Sequence, residues 1–470
     1  MQQVHLRVGT RSYLLLIHIC LIALSSGVVA DEDFDSSPKR IENRLVRGEL
    51  KTGVPYAFLA KKTRGETVNL NLNLRFGDEK SLMGKSAAVR FLGTLMDRGT
   101  RSLTLQQLIV RKDQLKAAIK ITSELQTLNF TVETNRANLN DVLDLISEML
   151  RHPALDENEF TLVRDQMLAR VESQKQVPKE LAIRSVLRAL NSFKRGDARY
   201  LPTMDEELED LKKLKLMEVK DIHAKFLSGT EGEVTVVGDF DVKPVEEKLS
   251  AMLSNWKSKI AYQRIAASAT TEVKIPILSI EIPDKADGCY FASQQYAIRD
   301  DHPKYPALLI ANIILGAEGL PSRLGNRVQH AERLALDIAS RLIASQIDER
   351  ASLTITSSAK SSNRDKLVKT IEEEVRKFAK DGVTEKELKD GIQSFLHQQL
   401  LIRSDDAKLA NILAVNLFTG RTMDYYDKLE ADVSHLTLEH VNEAVGEYIA
   451  PDGFVIAIAG DFAKPTNPNP

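Results

Sequence analysis

The chain has 470 residues, of which 43% are hydrophobic and 28% charged, with a formal net charge of −2. That make-up describes an ordinary globular protein, long enough for two or three domains with substantial cores. It gives no basis for a nucleic-acid binder or a basic membrane-surface patch.

The first thirty residues differ from the rest. Arg7 and Arg11 precede an apolar run from Tyr13 to Leu24, and small residues ending in Val28-Val29-Ala30 lead into Asp31-Glu32-Asp33. This is the pattern of a signal peptide, residues 1–30, with cleavage expected after Ala30. The apolar run is shorter than the roughly 20 residues a spanning helix needs, so no membrane span is expected after cleavage. Lipidation at Cys20 is disfavoured by the bulky His18 and Ile19 before it. Residues 31–45 form an N-terminal leader. Beyond Ala30 only Cys289 remains of the two cysteines, so no intramolecular disulfide can form.

Val68 to Phe76 alternates apolar and polar residues without a fault, as a half-buried strand requires, with one face toward a core and the other toward water. After Gly77-Asp78-Glu79 the spacing predicts a helix over 86–97, with Ala87, Ala88, Phe91, Leu92, Leu95 and Met96 on one stripe. Leu128, Phe130 and Val132 alternate again. Asn138 is placed to cap a helix that Pro153 stops, and another helical pattern covers Asp156 to Gln174.

The second half repeats this order. Val234 to Phe240 returns as Val455 to Phe462, with 222 residues between the two Gly-Asp-Phe triplets. Thr131-Val132 returns at Thr354-Ile355 before Asn363, and Leu155 to Phe160 returns as Val383 to Leu388. Three matches in order predict a duplicated domain. The expected class is α+β: two homologous repeats, each an antiparallel or mixed sheet with helices on one face. The first spans 46–256 and the second 274–464, joined by a linker at 257–273 and followed by a tail at 465–470.

These features together resemble the insulinase, pitrilysin or inverzincin family. The matching pieces are Leu72 to Gly77, Gly84, Phe91-Leu92, Arg98-Gly99-Thr100, Val236 to Asp239, Gly319-Leu320-Pro321-Ser322-Arg323-Leu324 and Ala459-Gly460-Asp461. The resemblance implies half of a hollow clamshell that closes on a second half of the same type. It also implies a zinc site built from His-x-x-Glu-His on the first repeat's helix and a glutamate about 75 residues further on. Here the helix reads Arg90-Phe91-Leu92-Gly93-Thr94, so Arg90, Gly93 and Thr94 stand at the motif positions. The later glutamate falls near Arg170, with Glu172 close enough to leave that register open.

Arginine cannot ligate a metal, so Arg90 and Arg170 reverse the charge logic of such a site. Pairing of these arginines with Asp165 or Glu172 is expected, in preference to an anion site. The family's substrate-carbonyl pair, an arginine and a tyrosine seven residues later, falls on Gln329 and Leu336. Gln329 can still donate a hydrogen bond, whereas Leu336 cannot. No other histidines lie at metal-binding spacing, and His440 with Glu443 supplies too few ligands. No catalytic residue, metal or cofactor is therefore expected.

The implied function is a non-catalytic, pseudo-peptidase subunit, exported to a periplasm or secreted, that pairs with a zinc-bearing insulinase-like chain as a heterodimer and encloses peptides. Edge strands could hold an extended peptide by main-chain hydrogen bonds alone. The alternative is a stand-alone structural or peptide-binding homodimer. An active metalloendopeptidase fits least.

Overall fold

The computed structural model describes residues 34–317 and 321–462. The signal peptide and tail read from the sequence lie outside the described residues. Among those described, no helix is long and apolar enough to cross a membrane.

The strands are β1 (Val46–Glu49), β2 (Pro55–Ala60), β3 (Thr67–Arg75), β4 (Ala118–Glu124), β5 (Thr127–Asn135), β6 (Gly232–Gly238), β7 (Leu278–Glu281), β8 (Asp287–Tyr296), β9 (Ala335–Ala344), β10 (Ala351–Lys360) and β11 (Val455–Gly460). They form two sheets, ordered β1-β2-β6-β3-β5-β4 and β7-β11-β8-β10-β9. In each sheet one pair is parallel, β2 with β6 and β7 with β11, and the other pairings are antiparallel. Strand order and direction thus repeat along the chain. The duplicated α+β architecture is the one the Gly-Asp-Phe spacing predicts. Gly238 of the first triplet has φ 137°, and a Cβ there would meet Thr67 O at 2.2 Å, so only glycine lets the strands pass.

Helices of the first repeat, after a leader helix α1 (Pro38–Arg44), are α2 (Ser86–Met96), α3 (Leu105–Gln114), α4 (Leu139–Arg151), α5 (Glu157–Gln174), α6 (Pro178–Ala189), α7 (Met204–Lys213), α8 (Leu216–Phe226) and α9 (Val242–Leu253). Those of the second are α10 (Tyr305–Gly316), α11 (Arg364–Asp381), α12 (Glu385–Ser404), α13 (Asp406–Thr419), α14 (Asp424–Ser434) and α15 (Leu438–Tyr448). Each sheet buries one apolar face against helices of its own repeat. Val68, Leu70, Leu72 and Leu74 of β3 enter one core with Phe91 and Leu92 of α2, while Leu353 and Ile355 of β10 enter another with Ile371 and Phe378 of α11.

The opposite faces are where the repeats exchange helices. From the first repeat, α6 lays Ala182 and Val186 on Cys289, Phe291 and Ala457 of the second sheet, forming a third core. From the second, α13 crosses β2, β3 and β6, with Leu409, Ala410, Leu413 and Ala414 buried.

This arrangement corrects the reading of the polar face of β3 as facing water. Asn69 and Asn71 are buried, and Thr235 Oγ1 beside them donates to Ala410 O at 2.8 Å. Arg75 lies 3.3 Å from the centre of the Phe418 ring and donates Nε to Glu233 Oε2 at 3.0 Å. Alternation had marked a polar face, and α13 meets that face through the Thr235–Ala410 hydrogen bond and the Arg75–Phe418 ring contact, above the Arg75–Glu233 ion pair that joins β3 to β6. The outward faces of β4 and β5 stay open, with Lys120, Thr122, Thr131 and Glu133 exposed.

Asn138 and Asn363 do stand at the starts of α4 and α11, but neither side chain caps its helix. Each instead donates Nδ2 to a carbonyl of a preceding loop, Leu115 O at 3.1 Å and Leu334 O at 2.9 Å.

The segment joining the repeats is strapped to both. Gln126 of the first receives Ile265 N and donates to Gln263 O, while Asp348 of the second receives Arg264 and Ala267 N. The leader is tied down too. Arg403, 2% exposed, donates Nε to Ser36 O at 2.8 Å and pairs with Glu430, and Met423 N donates to Glu42.

Candidate functional site

Helix α2 is amphipathic, and its buried stripe fixes where the remaining side chains point. Phe91 and Leu92 are fully buried, Phe91 against Phe160 of α5 with ring centres 4.9 Å apart. Gly93 faces β4. A Cβ there would stand 2.7 Å from Ser123 N and 2.9 Å from Thr122 C, so the backbone of this edge strand occupies the space a side chain would need. Thr94 is exposed.

Arg90 is half-buried and lies 4.0 Å from Glu207 of α7, a carboxylate that Arg184 of α6 already engages at 2.6 Å. Two guanidiniums thus share one carboxylate. The partners expected for Arg90 pair elsewhere, Asp165 with Arg164 and Glu172 with Lys175. The correction has a simple cause: α7 packs beside α2 and α5, a long-range contact that proximity in sequence does not report. Arg170 is exposed on α5, where its carbonyl accepts a hydrogen bond from Ser173 Oγ.

Zinc does not fit these residues. A guanidinium, a glycine pressed on a backbone and a lone hydroxyl offer no ligand set. Among the described residues, no group of three or more His, Cys, Asp or Glu side chains is placed to hold a metal. His440 is a helix-start residue, with Nδ1 accepting from Thr437 N at 3.3 Å, and Glu443 is taken by Lys304.

The other sequence-marked pair comes together. Gln329 sits in a π-helical turn, Gly325–Ala331, and donates Nε2 to Leu336 O at 2.8 Å. The Leu336 side chain, 69% exposed at the start of edge strand β9, carries no polar group. What positions this turn is Arg323, which grips Glu387 at the start of α12 with Nε at 2.7 Å and Nη2 at 2.8 Å and donates to Gly382 O. Leu324 beside it is fully buried. The Pro-Ser-Arg-Leu stretch therefore anchors the second repeat.

A cavity of about 530 Å³ opens beside Arg90. Its walls are α2, the β4–β5 turn, the loop after α6 and the strapped connector, with Arg350 from the turn before β10. Sequence reasoning missed it because its parts are far apart in the chain.

Residues 87–201 match the sequence profile described as Insulinase (Peptidase family M16), and residues 213–395 match Peptidase M16 inactive domain. The chain belongs to the insulinase, or M16, peptidase family. It is 20% identical over 398 residues to the Non-peptidase homolog YmxG of Helicobacter pylori, an alignment that covers 84% of this chain and 89% of that protein. The fold is similar to that of a peptidase M16 inactive domain from Pseudomonas fluorescens, with TM-score 0.76, 20% identity, and 90% and 99% of the two chains covered. It also resembles the periplasmic protease PqqL of Escherichia coli, with TM-score 0.69 and 14% identity, over 90% of this chain and 46% of that one. Within M16 this chain is a non-catalytic member.

Proposed function

We propose that the chain is an exported, non-catalytic subunit that pairs with a zinc-bearing M16 chain and helps enclose its peptide substrates. The observation that carries this reading is the state of α2. On the register that the family resemblance implies, Arg90, Gly93 and Thr94 take the places of a zinc helix's ligands and base, and a Cβ at Gly93 would stand 2.7 Å from Ser123 N of β4, which leaves no room for a glutamate unless the strand shifts. Arg170, Gln329 and Leu336 complete a set of degenerate positions, the last two leaving no charged donor for a substrate carbonyl.

What remains intact is the framework. The match covers 46% of PqqL, which leaves a part of similar length there beside the matched one. The uncovered faces of β4 and β5 would then form part of a shared wall. Export is supported by the Arg7 to Ala30 pattern and by the periplasmic description of PqqL. In a complex this chain would act by closing the chamber and positioning peptide, which lowers the entropic cost of reaction without supplying chemistry.

Co-expression with a zinc-bearing M16 chain tests the proposal. The expected result is a heterodimer by light scattering, with an interface of at least about 1,000 Å² and faster peptide turnover than the partner shows alone. Failure to associate, with the partner's turnover unchanged over a wide concentration range, would overturn it for that partner and leave the homodimer reading in its place.

A further inference from the structure

A cavity of about 710 Å³ lies in the second repeat, between the loop before α10 and helices α14 and α15. Its floor is apolar, made by Pro306, Ala307, Leu429 and Leu436. The loop wall is fixed by a buried ion pair. Asp300, 6% exposed, accepts from both Nη atoms of Arg421 at 2.7 Å, and its carbonyl accepts from Tyr425 Oη at 3.0 Å. The space therefore exists before any ligand arrives.

Three imidazoles line it, one from each element: His302, His435 and His440. Backbone contacts set their tautomers. His435 Nδ1 lies 2.7 Å from Ala431 O, which can only accept, so Nδ1 carries the proton and Nε2 of the neutral ring is a bare acceptor. His302 and His440 accept through Nδ1 from Lys304 N and Thr437 N, so their neutral rings hold the proton on Nε2. The charges around these rings leave one carboxylate over. Asp300 and Asp301 are matched by Arg421 and Arg299, and Asp432 by Lys428. A single ammonium, Lys304, serves both Glu443, at 2.5 Å, and Glu447, at 3.9 Å. The phenols beside the rings, Tyr425 and Tyr448, stay uncharged, burial pushing both upward.

We propose that this cavity binds a small amphipathic primary amine, its ammonium donating to Glu443 and to His435 Nε2 and its apolar body lying on Leu429 and Leu436. An imidazole changes charge between about pH 5 and 8, whereas an alkylammonium keeps its proton above that range. Protonation removes the His435 acceptor and surrounds a cation with positive rings. Affinity is therefore full above that range and is lost as pH falls through it. The inference goes beyond the partner-subunit reading and does not depend on it.

Calorimetric titration of the purified full chain with 2-phenylethylamine, 2-phenylethanol and phenylacetate tests it, since the three share one apolar body and differ in charge. At about pH 8 the amine is expected to bind about tenfold or more tightly than the alcohol, with the acid weakest, and to lose about tenfold on going to about pH 5. Glu443→Gln should erase the preference for amine over alcohol and leave the alcohol's affinity unchanged. His435→Gln combined with His440→Gln should flatten the pH dependence, and glutamine at 440 can keep the reciprocal hydrogen bonds that start α15. All three positions are exposed, and thermal unfolding checks that each variant folds. Equal affinity for amine and alcohol, tighter binding of the acid, no binding of any of the three, an affinity that holds or rises on acidification, or a preference that survives Glu443→Gln would each overturn the proposal. So would displacement of the amine by a lower concentration of a peptide with a free N-terminal phenylalanine, which would assign the site to chain ends instead.

Discussion

An alanine at position 93 would set its Cβ 2.7 Å from the Ser123 amide nitrogen, and the obstacle is backbone, which cannot rotate away. Alanine gains helix propensity, but overpacking against a strand costs more. Gly93→Ala is therefore predicted to lose about 1–3 kcal/mol, read as a lower midpoint in urea unfolding. The same contact governs any attempt to rebuild a metal site. Arg90→His with Gly93→Glu and Thr94→His must displace β4, and it leaves Arg170, Gln329 and Leu336 as they are. No efficient, chelator-sensitive peptidase is expected from that triple variant, because catalytic groups act as a unit; robust turnover would show the remaining positions to be misassigned. The reading that ligands are lost rests on five residues of one helix, Arg90 to Thr94. The sealing of that helix by Ser123 was not legible there, since strand and helix meet only in the folded chain.

Between elements, two ion pairs decide most. Glu387 caps α12 and holds Arg323, and the hydrogen bonds from that guanidinium pull its carboxyl from an ordinary 4.5 down to about 2. A carboxylate with a lowered folded pKa stabilises the fold fully above its unfolded value. That contribution is lost as pH falls from about 4.5 through about 2. Partial exposure and solvent screening limit it to about 1 kcal/mol, so Glu387→Gln should lower stability slightly at neutral pH and flatten the acid limb of a stability profile.

The second pair joins β3 to β6 beneath α13. Burial pushes the Glu233 carboxyl up while Arg75 opposes the shift, and Arg75 also stacks on Phe418. Arg75→Ala strands a carboxylate that is 3% exposed and should cost about 3–5 kcal/mol in thermal or urea unfolding. Strand β3 itself was read correctly from its alternation, which distinguishes polar from apolar faces. It could not say that the polar face meets a helix, because Asn69, Asn71 and Arg75 look the same in sequence whether that face meets water or α13.

Across the whole molecule, the repeated Gly-Asp-Phe strand announced a duplication, and the two sheets repeat strand order as that spacing implied. The reciprocal crossing of α6 and α13 was hidden, because it pairs segments that are not neighbours in either repeat. Each sheet has most of its second face covered from within the chain, which leaves the β4–β5 and β9–β10 sides the more open ones. Those sides carry Glu124, Leu125 and Arg350 at one cavity and Leu336 on the second sheet's edge.

Metal content and turnover of the purified chain, measured on one sample before and after chelation, test the non-catalytic assignment most directly. The account predicts far less than one zinc per chain and no cleavage of unfolded peptides in either state. About one tightly held zinc per chain, with peptidase activity that chelation abolishes and zinc restores, would contradict it.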